Sequence, residues 1–260
     1  MLLAVDIGNT QTAVGIYDGK ELRASWRIES DSKATSDQLL VQINSLIKLK
    51  GHGELFVTEA IVSSVVPMLT LSWVEALEFL IGEGGSVDIV NAAEDYGIPV
   101  KYENRREIGP DRICDAVAAV AKYGAPVIVI DLGTATNIEA IDDEGAFLGG
   151  IIAPGLRVSA EALFSHAARL SSIDIKVPEH AIGRSTTEAV QSGLTFGEVD
   201  RIDGLVDRIK AEMGCDATVV ATGGYHQLML PISRTIDYAD GLLTLDGLRI
   251  IHERKHAKNH

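Results

Sequence analysis

Two segments of this chain carry the same short turn. The apolar run Leu2 to Val5 ends in Asp6-Ile7-Gly8-Asn9-Thr10, and the β-branched run Val127 to Ile130 ends in Asp131-Leu132-Gly133-Thr134-Ala135-Thr136. Sliding the sequence by 125 residues sets Asp6 on Asp131, Gly8 on Gly133, Ile16 on Ile141 and Asp18 on Asp143. The next turn recurs as well, as Asp18-Gly19 and Asp143-Glu144-Gly145. One such turn is readily explained as a β-hairpin. Two copies, each opening one half of the chain, predict two similar α/β halves facing one cleft, residues 1–124 and 125–260.

The periodicity supports that plan. Thr12, Val14 and Ile16 alternate with their neighbours, as do Leu22, Ala24, Trp26 and Ile28, which predicts two strands joined at Asp18-Gly19. Ser36 is the expected N-cap of a helix that buries Leu39, Leu40, Ile43, Leu46 and Ile47. A strand follows near Ala60 to Val66, and Pro67 suits the start of another helix. In the second half, helices are expected through Leu156, Ala160, Leu163 and Ala167, and over Ala189 to Met213. Val219 to Ala221 reads as a buried strand before Thr222-Gly223-Gly224, and Leu245, Leu248 and Ile251 as a last amphipathic helix. The His-rich end, His252 to His260, reads as a solvated tail.

Composition removes several classes. A net charge of −14 is unsuited to neutralising nucleic-acid phosphates. Cys114 and Cys215 form no metal-binding or disulfide pattern, which fits a reducing cytoplasm. The opening run before Asp6 is too short for a signal peptide, and no apolar stretch approaches the roughly 20 residues of a membrane span.

The motifs suggest phosphate chemistry. Asp6, at a strand end, can hold Mg²⁺ through water, and Gly8 lets backbone N–H groups approach a phosphate. Thr10 and Thr12 add hydroxyl donors. The fingerprints of P-loop and Rossmann folds are missing. Thr222-Gly223-Gly224, Gly149-Gly150 and Pro154-Gly155 suit either a flat ligand lying on backbone or close packing of elements. Lys101, Arg105, Arg106 and Arg112 make a basic segment in an acidic chain. Within it, Gly109-Pro110-Asp111-Arg112 reads as a helix start able to attract a carboxylate or phosphate. Asp111 in that first turn is expected to keep a low pKa and serve as a proton acceptor, or only to complement the helix dipole. His166, His180 and His226 lack metal-ligand spacing and read as structural.

In chain order the signatures are Asp6-x-Gly8-Asn9-Thr10, Trp26-Arg27-Ile28, Gly109-x-Asp111-Arg112, Asp131-x-Gly133-Thr134-Ala135-Thr136 and Gly149 to Gly155. They continue with Ile182-Gly183-x-x-Thr186, Glu188-Ala189, Gln191-Ser192-Gly193 and Ala221 to Gly224. Along nearly its whole length the sequence resembles the type III pantothenate kinases, of the actin/hexokinase-like ATPase superfamily. The resemblance implies a duplicated ribonuclease H-like (actin-like ATPase) fold around a nucleotide cleft, a homodimer, and transfer of the ATP γ-phosphate to pantothenate. It places the proton acceptor on Asp111 and the pantothenate contacts on Tyr102, Gly109, Pro110, Asp111, Arg112 and Thr186, near the dimer interface. It places the nucleotide loop on Asp6, Ile7, Gly8, Asn9, Thr10, Gln11, Thr12 and Ala13, with Thr134 completing the phosphate site. Asp131 falls on the position that holds K⁺ or NH₄⁺.

The chain departs from the family pattern at Arg105, where proline is common, and at Arg184-Ser185, which replace Lys-Asn. Asn137 and Tyr225-His226 also differ. Two other readings share these motifs: a kinase of the same superfamily acting on another hydroxy acid, and a non-catalytic accessory homologue.

Overall fold

The computed structural model describes residues 1–49, 56–166 and 173–257. Ala167 of the expected helix and the last three residues of the expected tail fall outside them.

The first sheet is built from Leu2–Ile7 (β1), Gln11–Asp18 (β2) and Glu21–Glu29 (β3), then Glu59–Ser64 (β4) and Ser86–Ile89 (β5). Helix Ser36–Leu49 (α1) lies between β3 and β4 in sequence, and Pro67–Ile81 (α2) between β4 and β5. A 3₁₀ turn at Arg105–Glu107 precedes Pro110–Tyr123 (α3). The second sheet comprises Val127–Leu132 (β6), Ala135–Ile141 (β7) and Phe147–Pro154 (β8), followed after helices Leu156–His166 (α4) and Thr186–Met213 (α5) by Thr218–Gly223 (β9). A short helix His226–Met229 (α6) leads to Tyr238–Ala239 (β10), and Leu243–Ala257 (α7) ends the described chain.

The strand order is β3-β2-β1-β4-β5 in one sheet and β8-β7-β6-β9-β10 in the other. Three antiparallel strands followed by two parallel ones therefore occur twice, as the repeated turn requires. The 125-residue offset holds for the central strands but not for the next pair. Leu3 pairs with Ile16, and its counterpart Ile128 pairs with Ala140. The equivalent of Ile16 is thus Ala140 rather than Ile141, because the turn after β6 is one residue shorter than that after β1. By the same shift Asp142, not Asp143, opens the second hairpin turn, where its backbone N–H donates to the Ala146 carbonyl.

Each central strand is an unbroken apolar run because both of its faces are covered. Leu3, Val5 and Ile7 join Trp26, Ile43, Trp73 and Leu77 in the core under α1 and α2. Alternation puts Leu2, Ala4 and Asp6 on the opposite face, the side on which α7 contacts β1 and β4. In the second unit, Ile128, Ile130 and Leu132 share a core with Val199, Ile202 and Val206 of α5, leaving Asp131 on the other face of β6. Each fully buried Leu or Ile in these clusters contributes about 1.5–3 kcal/mol.

Local signals set the helix ends. α1 starts one residue earlier than expected: Thr35, not Ser36, caps it. The Thr35 hydroxyl accepts from the Gln38 N–H at 3.4 Å, while Gln38 Oε1 accepts from the Thr35 N–H at 3.0 Å, a reciprocal capping box. The expected solvated tail is different in kind. Residues to Ala257 continue α7, and His252 is buried, since this face of the helix lies against the first sheet.

A cut at 124/125 separates the two sheets, whereas compactness divides the chain into Met1–Ile98, Glu103–Ala118 and Leu243–His260 against Pro99–Tyr102 and Ala119–Leu242. The last helix returns to the first unit. A Cβ on Gly247 of α7 would stand 2.0 Å from the Cys114 carbonyl oxygen, so the two helix backbones touch there. Gly247→Ala is therefore expected to lower stability by about 2 kcal/mol or more, read as a lower chemical-denaturation midpoint. An unchanged midpoint would mean that α7 and α3 separate without cost.

Candidate functional site

In the first unit, the turn after β1 is closed by a hydrogen bond from the Gly8 N–H to the Gln11 carbonyl at 3.1 Å. A side chain at position 8 would lie 2.8 Å from that carbonyl, so the tight turn itself requires glycine. Thr12 is buried, its hydroxyl 2.9 Å from that of Ser30, so it anchors β2 to the chain beyond β3.

The first turn of α3 faces the end of β1. Asp111 is half-buried and Arg112 is buried. The Arg112 backbone N–H donates to Asp111 Oδ1 at 2.8 Å. A Cβ on Gly109 would sit 2.3 Å from the same oxygen, so glycine at 109 makes room for the carboxylate. One turn on, Asp115 is buried and so is Cys114. Burial pushes the Cys114 thiol well up, and the charges of Asp6, Asp115 and Asp111 push it further.

Burial at the start of α3 corrects one expectation. Burial raises the Asp111 pKa, outweighing the Arg112 amide and guanidinium that act to lower it. The low value expected from the helix start fails because the carboxyl is taken out of water. Sequence reasoning also missed Asp115. Its i, i+4 spacing from Asp111 placed both acids on one helical face, and that was the available signal.

The second unit has a comparable arrangement around Asp131. The Gly133 N–H donates to the Ala135 carbonyl at 3.0 Å, closing the turn. Gly223, at φ 84°, approaches so closely that a Cβ there would lie 2.3 Å from Asp131 Oδ1. Gly155 lies equally close to the turn, where a Cβ would meet the Gly133 and Thr134 carbonyls at 2.5 Å. Three glycine motifs dispersed in the sequence thus converge on one carboxylate and its turn. His226 Nδ1 lies 2.5 Å from the Gly223 carbonyl oxygen.

Tyr102 and Thr186 also belong to the second unit. Tyr102 packs edge-on against Phe147, with centroids 6.2 Å apart, and lies over Gly149, where a Cβ would stand 3.4 Å from the ring. Thr186 is the first residue of α5, whose cap is Ser185: its hydroxyl accepts from the Glu188 N–H at 3.2 Å. The loop leading to it is pinned by Ser192, donating to the Ala181 carbonyl at 2.6 Å, and by Gly183, packed on the Ala189 backbone.

The basic segment is less available than its sequence suggested. Arg105 donates to the Ala92 and Glu94 carbonyls, both at 2.5 Å, and Lys101 pairs with Asp142 and Glu144 at 2.8 and 2.9 Å. Both cations are engaged by groups within their own unit, and Ser185, another of the departures, serves as a helix cap.

A family model described as type III pantothenate kinase matches residues 2–208. The chain belongs to that family. A relative from Thermomicrobium roseum, named type III pantothenate kinase, is 45% identical over 257 residues and covers 98% of both chains. Among solved structures, a chain from Campylobacter jejuni assigned to the Baf family of transcriptional activators matches with a TM-score of 0.63 at 20% identity, covering 99% and 100% of the two chains. The inorganic polyphosphate/ATP-glucomannokinase of Arthrobacter sp. strain KM matches at a TM-score of 0.50 and 18% identity, covering 100% and 99%. At those identities the two structures establish the fold, the duplicated α/β arrangement of actin-like ATPases. The family assignment rests on the sequence matches.

The role of Gly109 is open to direct measurement. Gly109→Ala is expected to displace the Asp111 carboxyl and bring its pKa down towards the usual carboxylate range, followed by carboxyl-carbon NMR titration. A Gly109→Ala protein with an unaltered Asp111 titration would remove glycine as the residue that seats it.

Proposed function

We propose that this protein transfers the γ-phosphate of ATP to the primary hydroxyl of pantothenate, the first step of coenzyme A biosynthesis. The observation that carries the reading is Asp111: a carboxylate at the start of α3, seated by Gly109 and placed beside buried Arg112 in a member of this family.

Asp111 accepts the hydroxyl proton as the oxygen attacks phosphorus. Its raised pKa makes it a stronger base than an ordinary carboxylate. Tyr102, Gly109, Pro110, Arg112 and Thr186 contact pantothenate, and Arg112 suits its carboxylate. The turn from Asp6 to Ala13 cradles the nucleotide phosphates with backbone N–H groups, and Thr134 adds a hydroxyl. Asp6 would hold hydrated Mg²⁺, and Asp131 would hold K⁺ or NH₄⁺. Carboxylate oxygens suit such hard cations, and glycine at 133 and 223 puts no side chain of those two positions against the Asp131 carboxyl. When bound, such cations would neutralise charge on the phosphoryl oxygens, while the preformed turns supply fixed dipoles.

The working unit in this reading is a cytoplasmic homodimer, in keeping with the family resemblance and with two unpaired cysteines. Among the described residues no helix is long and apolar enough to cross a membrane.

An ADP-release assay with pantothenate tests the reaction. Asp111→Asn is expected to retain ATP binding and lose about 10²-fold or more in turnover. In the native enzyme, activity needs the ionised carboxylate, and burial raises its pKa above the ordinary 3.8. kcat/KM should therefore fall as pH drops through that raised pKa and be restored as pH rises. Near-normal turnover in Asp111→Asn would remove Asp111 as the base, and phosphorylation of a sugar in place of pantothenate would overturn the substrate assignment. Replacing K⁺ and NH₄⁺ by Na⁺ is expected to suppress turnover. Equal rates in all three salts would detach Asp131 from its cation.

A further inference from the structure

The segment read from sequence as a solvated tail carries an organised cluster. His252 and His256 stand four residues apart on α7, so both rings project from one helical face. That face meets the edge of the first sheet, where Asp88 lies on β5 and Glu59 opens β4. Asp88 pairs in register with Ile61, two residues beyond Glu59, so both carboxylates share one face of the sheet.

The geometry is specific. Asp88 Oδ2 lies 3.0 Å from His252 Nδ1 and 2.9 Å from His256 Nε2. The two imidazole centroids are 4.3 Å apart, and one ligand atom from each of the three residues falls within 4.8 Å of the others. His252 and Asp88 are nearly enclosed, with side-chain exposures of 7% and 12%, while His256 is 38% exposed and gives a route from solvent.

We infer that Asp88, His252 and His256 form a binding site for a divalent transition-metal ion such as Zn²⁺ or Co²⁺. Two imidazoles and one carboxylate are the ligand set of such ions, whereas Mg²⁺ and Ca²⁺ favour oxygen alone. With bonds of about 2.0–2.1 Å in a tetrahedral site, ligand atoms stand about 3.4 Å apart. Asp88 Oδ2 needs to move off each imidazole nitrogen by only a few tenths of an ångström to reach that spacing, and the three ligand atoms already lie within 4.8 Å of one another.

The surroundings fit as well. Glu59 Oε2 is 3.4 Å from the other ring nitrogen of His252, the carboxylate partner that fixes a metal-binding imidazole with its free lone pair towards the ion. Lys255 Nζ is 2.8 Å from Asp88 Oδ1, which occupies one carboxylate oxygen and leaves Oδ2 for the metal. The fourth position faces solvent beside His256 and would hold water. Such an ion would fasten the last helix to the sheet edge, well separated in sequence from the residues assigned to phosphate transfer.

The competing account is a proton-held cluster, in which charged imidazoles pair with Asp88 and no ion is needed. The two are distinguished with the full-length chain, free of any added His tag and stripped by a chelator, titrated with Co²⁺ and separately with Zn²⁺ alone. The expected result is one equivalent bound, with the visible absorption of four-coordinate Co²⁺ and no thiolate charge-transfer band from Cys215. Excess Mg²⁺ should not displace it. His256→Gln, chosen because that residue is partly exposed, should weaken Zn²⁺ binding by about tenfold or more. Its metal-free melting temperature should stay close to the native one, and Lys255→Gln should keep the Co²⁺ spectrum. Equal affinity in the native and His256→Gln proteins, displacement by Mg²⁺, or a Co²⁺ spectrum that stays that of the hydrated ion would each overturn the site. No substrate enters the measurement, so its outcome is independent of the kinase reading.

Discussion

The structure depends on a carboxylate placed at the carboxyl end of a central strand. β1 and β6 are each third in a five-stranded sheet, flanked on both sides by strands. Within such a strand an unpaired charge is costly, and the sole charged residues in β1 and β6 are Asp6 and Asp131, next to last in each. There the strand gives way to a turn whose backbone can face a ligand. The same placement recurs because the same topology recurs, three antiparallel strands extended by two parallel ones.

Around each carboxylate the chain has removed side chains rather than added them. Gly223 and Gly133 make room beside Asp131, Gly155 beside the turn that follows, and Gly109 beside Asp111. Glycine is a weak core residue, since it contributes no apolar surface and loses much backbone entropy on folding. Its use at these contacts makes sense as room for charged groups. The cost is visible at α3, where the charges of Asp6, Asp111 and Asp115 act on buried Cys114 and burial holds the Asp111 proton more tightly than water would.

Much of this was legible beforehand. The apolar runs at Leu2 and Val127, the Asp-Gly turns and the alternation in β2 and β3 are local patterns, and local patterns survive folding when they agree with the core. Pro67 and Pro110 open helices as their fixed φ suggests. The β5 and β10 strands were not anticipated, because four and two residues at a sheet edge carry no periodicity to read. The Thr35 cap was displaced by one residue because Thr35 and Ser36 are both good caps, and only Gln38 reaching back distinguishes them.

The sequence by itself determined the duplication, the order of the motifs and the chemistry their residue types can support, because these depend on spacing along the chain. Tertiary structure decided what those residues meet. It brought Gly223 and Gly155 to the Asp131 turn from far along the chain, and brought Asp6 near enough to α3 for its charge to act on buried Cys114. It engaged Arg105 and Lys101 with partners inside their own units. It also turned a polar, His-rich end into a helix that packs on the first sheet and places two imidazoles on Asp88. The physical reason is common to all of these. Burial and charge proximity depend on distance in space, and residues as far apart as Asp88 and His252 become neighbours only when a helix from the end of the chain lies against a strand from its beginning.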